Sequence, residues 1–300
     1  MSSLGTSITE NMRLPRYRRA EAEVSFALTQ RDLAIIHAVE SFRCLTSEHL
    51  QRLTPGSDQG ILRRLQVLFH GGYLDRLRPR RVENGGSAKI VYAITNKGVQ
   101  TLKKEGLIQN PGKTDRNAQN RDLHDLSVAH SLLVSHIHAT FLLACRQNPN
   151  FQFLFWREGR ELQDTIEVEF REKYATVPVA PDGFFALRDA QGKTNFFVEA
   201  DRGTMTLKRF TLKLKAYAAF YQQKKHTDKF GIKHFRVLTV TSSVARCRNL
   251  LRAAESAEDV RKLGRRFLFT TEEDLPLSSP ESVLTKIWTA PGREEPCSIL

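Results

Sequence analysis

Asp182 and Glu199, seventeen residues apart, sit in two short signatures: Val179-Ala180-Pro181-Asp182-Gly183 and Phe197-Val198-Glu199-Ala200-Asp201-Arg202-Gly203. Each signature belongs to a strand-like apolar run, and the turn-rich Arg188-Asp189-Ala190-Gln191-Gly192-Lys193 lies between the runs. If Arg188 pairs with Lys193 across a four-residue loop, the same register sets Asp182 opposite Glu199. A two-residue loop at Gln191-Gly192 sets Asp182 opposite Asp201 instead. Either register puts Asp182, Glu199 and Asp201 on one face, because side chains alternate along a strand. Carboxylates facing one another repel, so such a cluster calls for a cation held by oxygen ligands.

The elements that must position this cluster make an αβββαβ series. A long apolar-periodic helix is predicted from Leu123 to Cys145. Strands follow at Phe151–Trp156, Pro178–Leu187 and Thr194–Ala200, with Phe196, Val198 and Ala200 turned to the core. Thr204 is the predicted cap of the next helix, whose stripe is Leu207, Phe210, Leu214, Tyr217 and Tyr221, with Lys213 at its edge. A fourth strand (Phe235–Val240), a helix (Val244–Glu255), a short strand (Phe267–Thr270) and an irregular tail complete the chain, with Ile287-Trp288 docked. His124, Asp125 and His130 invite a metal reading, but without a second ligand cluster they read as packing or surface residues.

Ahead of this half the pattern is different. A basic arm (Arg13, Arg16, Arg18, Arg19) precedes a helix capped by Thr29, a short helix near Leu45–Leu50, and a third helix from Gln59 to His70. Ile61, Leu62, Leu65, Leu68 and Phe69 form the predicted buried stripe of that third helix. Strands at Tyr73–Leu77 and Ile90–Ile94 flank a basic loop, and Asn96 opens a closing helix. The order resembles a winged helix-turn-helix over residues 26–108, in which the third helix enters the major groove and the wing touches backbone. The resemblance points to Ser57, Gln59, Arg63 and Arg64 on the helix and to Arg78, Arg80, Arg81 and Lys89 on the wing as contacts to double-stranded DNA.

Bulk properties agree. The formal charge is +13, and residues 1–120 hold 19 basic against 11 acidic side chains. Such an excess favours a polyanionic partner. Four scattered cysteines without CxxC spacing read as reduced thiols, and the polar, basic start lacks a signal-peptide core, so a cytoplasmic location is expected. No run of about twenty apolar residues is apparent, so no membrane span is expected. The sequence holds no GxxxxGK[ST], GxGxxG or GxSxG motif. The expected organisation is an arm (1–25), a winged helix-turn-helix domain (26–110), a linker (111–121), an α+β or α/β domain (122–275) and a tail (276–300).

Pro181-Asp182-Gly183, Glu199-Ala200-Asp201-Arg202-Gly203-Thr204 and Lys213-Leu214-Lys215-Ala216-Tyr217, in this order, resemble the PD-(D/E)xK nuclease superfamily with its restriction-endonuclease-like fold. With the winged helix, most of the chain resembles the replication-relaxation family of plasmids and other mobile elements. In active superfamily members the Asp and Glu hold Mg²⁺ or Mn²⁺, and a Lys two positions after the Glu orients the attacking water. Asp201 stands where that Lys is expected; the resemblance offers Asp201 as a third metal ligand and Lys213 as the displaced lysine. Two functions follow from the likeness. One is a metal-dependent DNA endonuclease or nickase using Asp182, Glu199, Asp201 and Lys213. The other is a non-catalytic DNA-binding accessory factor or transcription regulator built on the same scaffold. A third reading, resting on the basic surface, is an adaptor that recruits replication, mobilisation or defence proteins. A homodimer is expected if both strands are cut.

Overall fold

The computed structural model describes residues 15–20, 26–77, 89–109, 114–121, 125–170 and 173–300, which divide between two compact units, 1–136 and 137–300. In the first unit hydroxyl side chains start the helices. Thr29 caps α1 (Gln30–Ser41) in a reciprocal box with Asp32, Thr46 caps α2 (Ser47–Leu53), Ser57 caps α3 (Asp58–His70) and Thr95 caps α4 (Asn96–Lys104). Each hydroxyl accepts from a first-turn N–H that the helix leaves unpaired, which is worth about 1 kcal/mol apiece. Three antiparallel strands, β1 (Cys44–Thr46), β2 (Leu74–Leu77) and β3 (Val91–Ile94), lie in the order β1-β3-β2. The sequence predicts no strand at Cys44–Thr46, because three residues show no period; pairing with Val91–Ala93 makes the strand.

The core of this unit joins Ile35 and Ile36 of α1 to Leu50 of α2 and to Ile61, Leu65 and Leu68 of α3. Leu62 departs from the predicted stripe and is 45% exposed. Residues 61, 65 and 68 share one helix face, and position 62 lies about 100° round from it. The segment expected as a linker instead contributes α5 (Arg116–Arg121). Its amides bind: Asn96 N donates to Asn117 Oδ1 (3.0 Å) and Asn120 Nδ2 to Ile94 O (2.9 Å). Arg19 of the expected arm is also engaged, with Nε donating to Phe69 O (3.1 Å) and Nη2 to Asp75 Oδ1 (2.5 Å).

The second unit begins within α6 (Asp125–Gln147) and continues with β4 (Gln152–Arg157), β5 (Asp164–Phe170), β6 (Lys173–Val179), β7 (Gly183–Asp189) and β8 (Gly192–Asp201). Then come α7 (Leu207–Gln222), α8 (Lys225–Phe230), β9 (Arg236–Thr241), α9 (Val244–Glu255), α10 (Glu258–Leu263) and β10 (Phe267–Thr271). A mixed five-stranded sheet has the order β10-β9-β8-β7-β4, parallel through β8, β9 and β10 and antiparallel beyond. It is apolar on both faces. Phe184, Phe197 and Val237 pack with Phe210, Leu214 and Tyr217 of α7, while Phe185 meets Phe141 of α6 (ring centroids 4.7 Å) and Phe196 (4.9 Å) on the other side.

Two expectations change here. The single strand Pro178–Leu187 is two strands: Val179 ends a separate β5–β6 ribbon and Gly183 begins β7. Pro181 lies in the break, where its missing N–H is no loss to either ladder. The cap before α7 is Thr206 rather than Thr204. The expected docking of the tail at Trp288 is present: Trp288 is wholly buried, its Nε1 donates to Val283 O (2.8 Å), and Thr289 bridges to Phe269 of β10.

Within α6, Ser127–Gln147 is long and apolar enough by length and composition to cross a membrane, with mean hydropathy 1.5 over a stretch that is 56% buried inside the fold. His138 from this helix stacks on Trp156 (4.3 Å) and Phe153 (5.6 Å). Burial, helped by the Arg146 charge, depresses the imidazole to about 3. An unfolded histidine takes up a proton near 6.5, so this residue's contribution is present above that pH and lost as pH falls toward 3. Between pH 7 and pH 5 the loss from His138 is about 2 kcal/mol, at about 1.4 kcal/mol per unit. The His138→Phe variant is expected to show a correspondingly smaller drop in urea stability over that interval; an equal drop in both proteins would refute the assignment.

Candidate functional site

Hairpin geometry places the acids. β7 and β8 pair through Arg188↔Lys193 and Gly183↔Val198, the first of the two predicted registers. Asp182, just ahead of β7, keeps that register: its N–H donates to Val198 O (2.9 Å) and its Oδ2 accepts from Ala200 N (2.8 Å). It therefore sits beside Glu199. Gly183 permits this, because a Cβ there would lie 2.6 Å from Cζ2 of Trp156, a ring already stacked on His138 and Phe185.

Glu199 is 4% exposed and points at α7. Lys213 Nζ donates to its Oε2, and Tyr217 OH, one turn further along α7, donates to Oε1 at 2.5 Å. Burial pushes the Glu199 carboxyl up to about 7; Lys213 draws it down, and the Asp182 charge adds to the rise. Burial works to depress the Lys213 ammonium, but Glu199 and Asp182 outweigh it and hold the group above its ordinary value. Burial and the Glu199 charge raise the Tyr217 phenol, which keeps it a proton donor.

Asp201 faces a different partner. Arg246 of α9 holds it by a two-pronged fork, Nε to Oδ2 at 2.8 Å and Nη2 to Oδ1 at 2.9 Å, and Thr241 Oγ1 adds a bond of 2.9 Å to Oδ2. Burial opposes the charge, yet these donors keep Asp201 below the usual carboxylate range. Arg246 Nη2 also donates to Met205 O (2.7 Å), which ties the loop between β8 and α7 to α9. Asp201, expected as a third metal ligand, accepts here from an arginine.

The donor set as arranged does not fit Mg²⁺ or Mn²⁺. Both Glu199 oxygens face Lys213 and Tyr217, and both Asp201 oxygens face Arg246. Among the described residues no group of three or more His, Cys, Asp or Glu could hold a metal. His124, from the histidine reading, lies outside the described residues, and His136 instead bonds His49 (3.2 Å).

In the first unit the predicted DNA contacts separate. Gln59 and Arg63 are exposed on α3. Ser57 is exposed but serves as the α3 cap. Arg64 is turned inward, with Nε and Nη2 donating to the two oxygens of wholly buried Asp32 at 2.6 Å each, which removes it from the contact set. Lys89 Nζ pairs with Glu48 at 2.7 Å, both exposed. Arg78, Arg80 and Arg81 lie outside the described residues.

Sequence reasoning missed the roles of Tyr217, Arg246 and Thr241. The Lys213–Tyr217 spacing marks one helix face, so Tyr217 was within reach of pattern. Arg246 and Thr241 meet Asp201 only because β9 lies parallel to β8 with Asp201 beside Thr241, a long-range pairing that no local signal carries.

Comparison with curated proteins gives no match. Among solved structures, that of the restriction endonuclease FokI matches with a TM-score of 0.30 and 12% identity. The match covers 84% of this chain and 43% of that one, so the chain spans less than half the length of FokI. The model of the replication-relaxation family matches residues 36–234, from within α1 to just before β9, and takes in Arg63, Asp182, Glu199 and Lys213. Since that match extends over more than half of its length, the chain belongs to the replication-relaxation family.

Proposed function

We propose that this chain is a replication-related protein that binds duplex DNA through a winged helix-turn-helix made by α1 to α3 and the β1-β3-β2 sheet. In this reading the second unit is a PD-(D/E)xK-type scaffold without cutting activity of its own. The observation that carries the DNA reading is the outer face of α3, where Gln59 and Arg63 stand exposed on a helix fixed by buried Ile61, Leu65, Leu68, Phe69 and His70 and by a cap. The net charge of +13 supports a polyanionic partner. The scaffold reading rests on the internal neutralisation of the acids: Glu199 by Lys213, Asp201 by Arg246.

A second reading, a metal-dependent endonuclease or nickase, is favoured by one feature: Asp182, Glu199 and Lys213 converge as the superfamily likeness implies. Incubation of supercoiled plasmid with Mg²⁺ or Mn²⁺, beside gel shifts of a linear duplex over a salt series, separates the two. The expected result is retardation that weakens as salt rises, with the plasmid left supercoiled. Nicking by the wild type that disappears in the Asp182→Ala/Glu199→Ala variant would establish the second reading. Absence of any duplex binding at low salt would overturn the first.

A further inference from the structure

The outward surface of α3 is one stripe. Gln59, Leu62, Arg63 and Gln66 follow the i, i+3, i+4, i+7 spacing of a single helix face, offset from the buried Ile61, Leu65 and Leu68. Gln59 and Arg63 are exposed, Leu62 is 45% exposed, and Gln66 is half-buried. The set matches the edges of base pairs in the major groove: glutamine gives a bidentate contact to adenine, arginine to guanine, and an apolar side chain packs on the thymine methyl. Arg64, the neighbouring cation, is held by Asp32 and leaves this face to Arg63.

We infer that α3 reads base sequence through Gln59, Leu62, Arg63 and Gln66, and that the recognised core is a G·C pair next to A·T pairs with a thymine methyl against Leu62. The inference rests on the DNA-binding reading and adds a specificity to it. Seven residues of helix rise span about 10 Å, which is about three base-pair steps, so the core is short.

The test uses the full chain and a duplex library with a randomised centre. Selection is expected to enrich a core of about three to four base pairs containing G·C beside A·T. Arg63→Ala is expected to weaken the enriched duplex by about 5- to 150-fold and to relax preference at the guanine position. Replacing the contacted thymine with uracil removes one methyl group. That change is expected to weaken wild type by about 4-fold, the size of one buried carbon, and to be silent in Leu62→Ala. Both substituted residues are exposed, so unchanged unfolding midpoints confirm that the variants are folded. Duplex binding without any enriched sequence overturns this inference and leaves the DNA-binding reading standing, as does a uracil substitution silent in wild type. No duplex binding at all sinks both together.

Discussion

Replacement of Lys213 by methionine is expected to cost about 3–5 kcal/mol of stability, because it strands the carboxylate of Glu199 in a site where that group is 4% exposed. Methionine keeps most of the volume of the lysine stem, so the loss reports the charge and not a cavity. The pH dependence gives the assignment its sign. Burial already pushes Glu199 up to about 7 with Lys213 present. Without the ammonium the neutral form is favoured further. The variant's deficit is therefore expected to be largest near pH 8.5, where the folded state must hold an uncompensated charge, and to shrink near pH 5.5, where Glu199 takes up a proton. Adding Glu199→Gln should recover most of the deficit at pH 8.5, since an amide accepts from Tyr217 without a counter-charge. Urea unfolding of the three proteins at both pH values measures this. A deficit under 1 kcal/mol, or one of equal size at both pH values, would show that Lys213 is a solvated lysine rather than the resident cation of the site.

How much of this was legible depended on distance along the chain. Thr29 was readable as a cap because a cap acts within one turn, whereas the third helix starts one residue earlier than its pattern indicated, with Ser57 as its cap. The Asp182–Glu199 pairing was one of two registers that the turn residues offered, and the structure has that one. Helical spacing put Lys213 at the edge of an apolar stripe, and its place beside the acids came from the superfamily resemblance. The β5–β6 ribbon left a local signal that the sequence reading passed over: Ile166 and Val168 are buried and alternate with exposed Glu167 and Glu169. The fork of Arg246 on Asp201, at a separation of 45 residues, and that of Arg64 on Asp32, at 32, left none. An arginine on a basic helix looks the same in sequence whether it faces a phosphate or a buried aspartate. What decides is whether the fold hides a carboxylate beneath it.

Arg64 shows the consequence for mutagenesis. Asp32 is wholly enclosed and its two oxygens each accept from Arg64 at 2.6 Å, while Thr29 N donates to Oδ2 at 2.7 Å to complete the cap. Although burial opposes it, this set of donors keeps Asp32 below the usual carboxylate range, so the group is charged at neutral pH. The Arg64→Ala variant removes the fork and a cation packed over the Phe26 ring at 5.2 Å. It is expected to destabilise the first unit by about 3–5 kcal/mol, the usual consequence of leaving a buried charge alone. Arg63→Ala, one residue away and exposed, is expected to stay within about 0.5 kcal/mol of wild type. On the proposed DNA-binding reading both variants are expected to bind duplex more weakly, but for opposite reasons: Arg63→Ala stays folded and lacks a contact, whereas Arg64→Ala lacks the folded helix. Adding Asp32→Asn to Arg64→Ala separates them further. The amide keeps a cap acceptor and carries no charge, so stability is expected to return in part, and with it the binding that Arg63 supplies. If Arg64→Ala instead unfolds at the wild-type midpoint and still loses binding, Arg64 belongs on the DNA and its pairing with Asp32 is incidental.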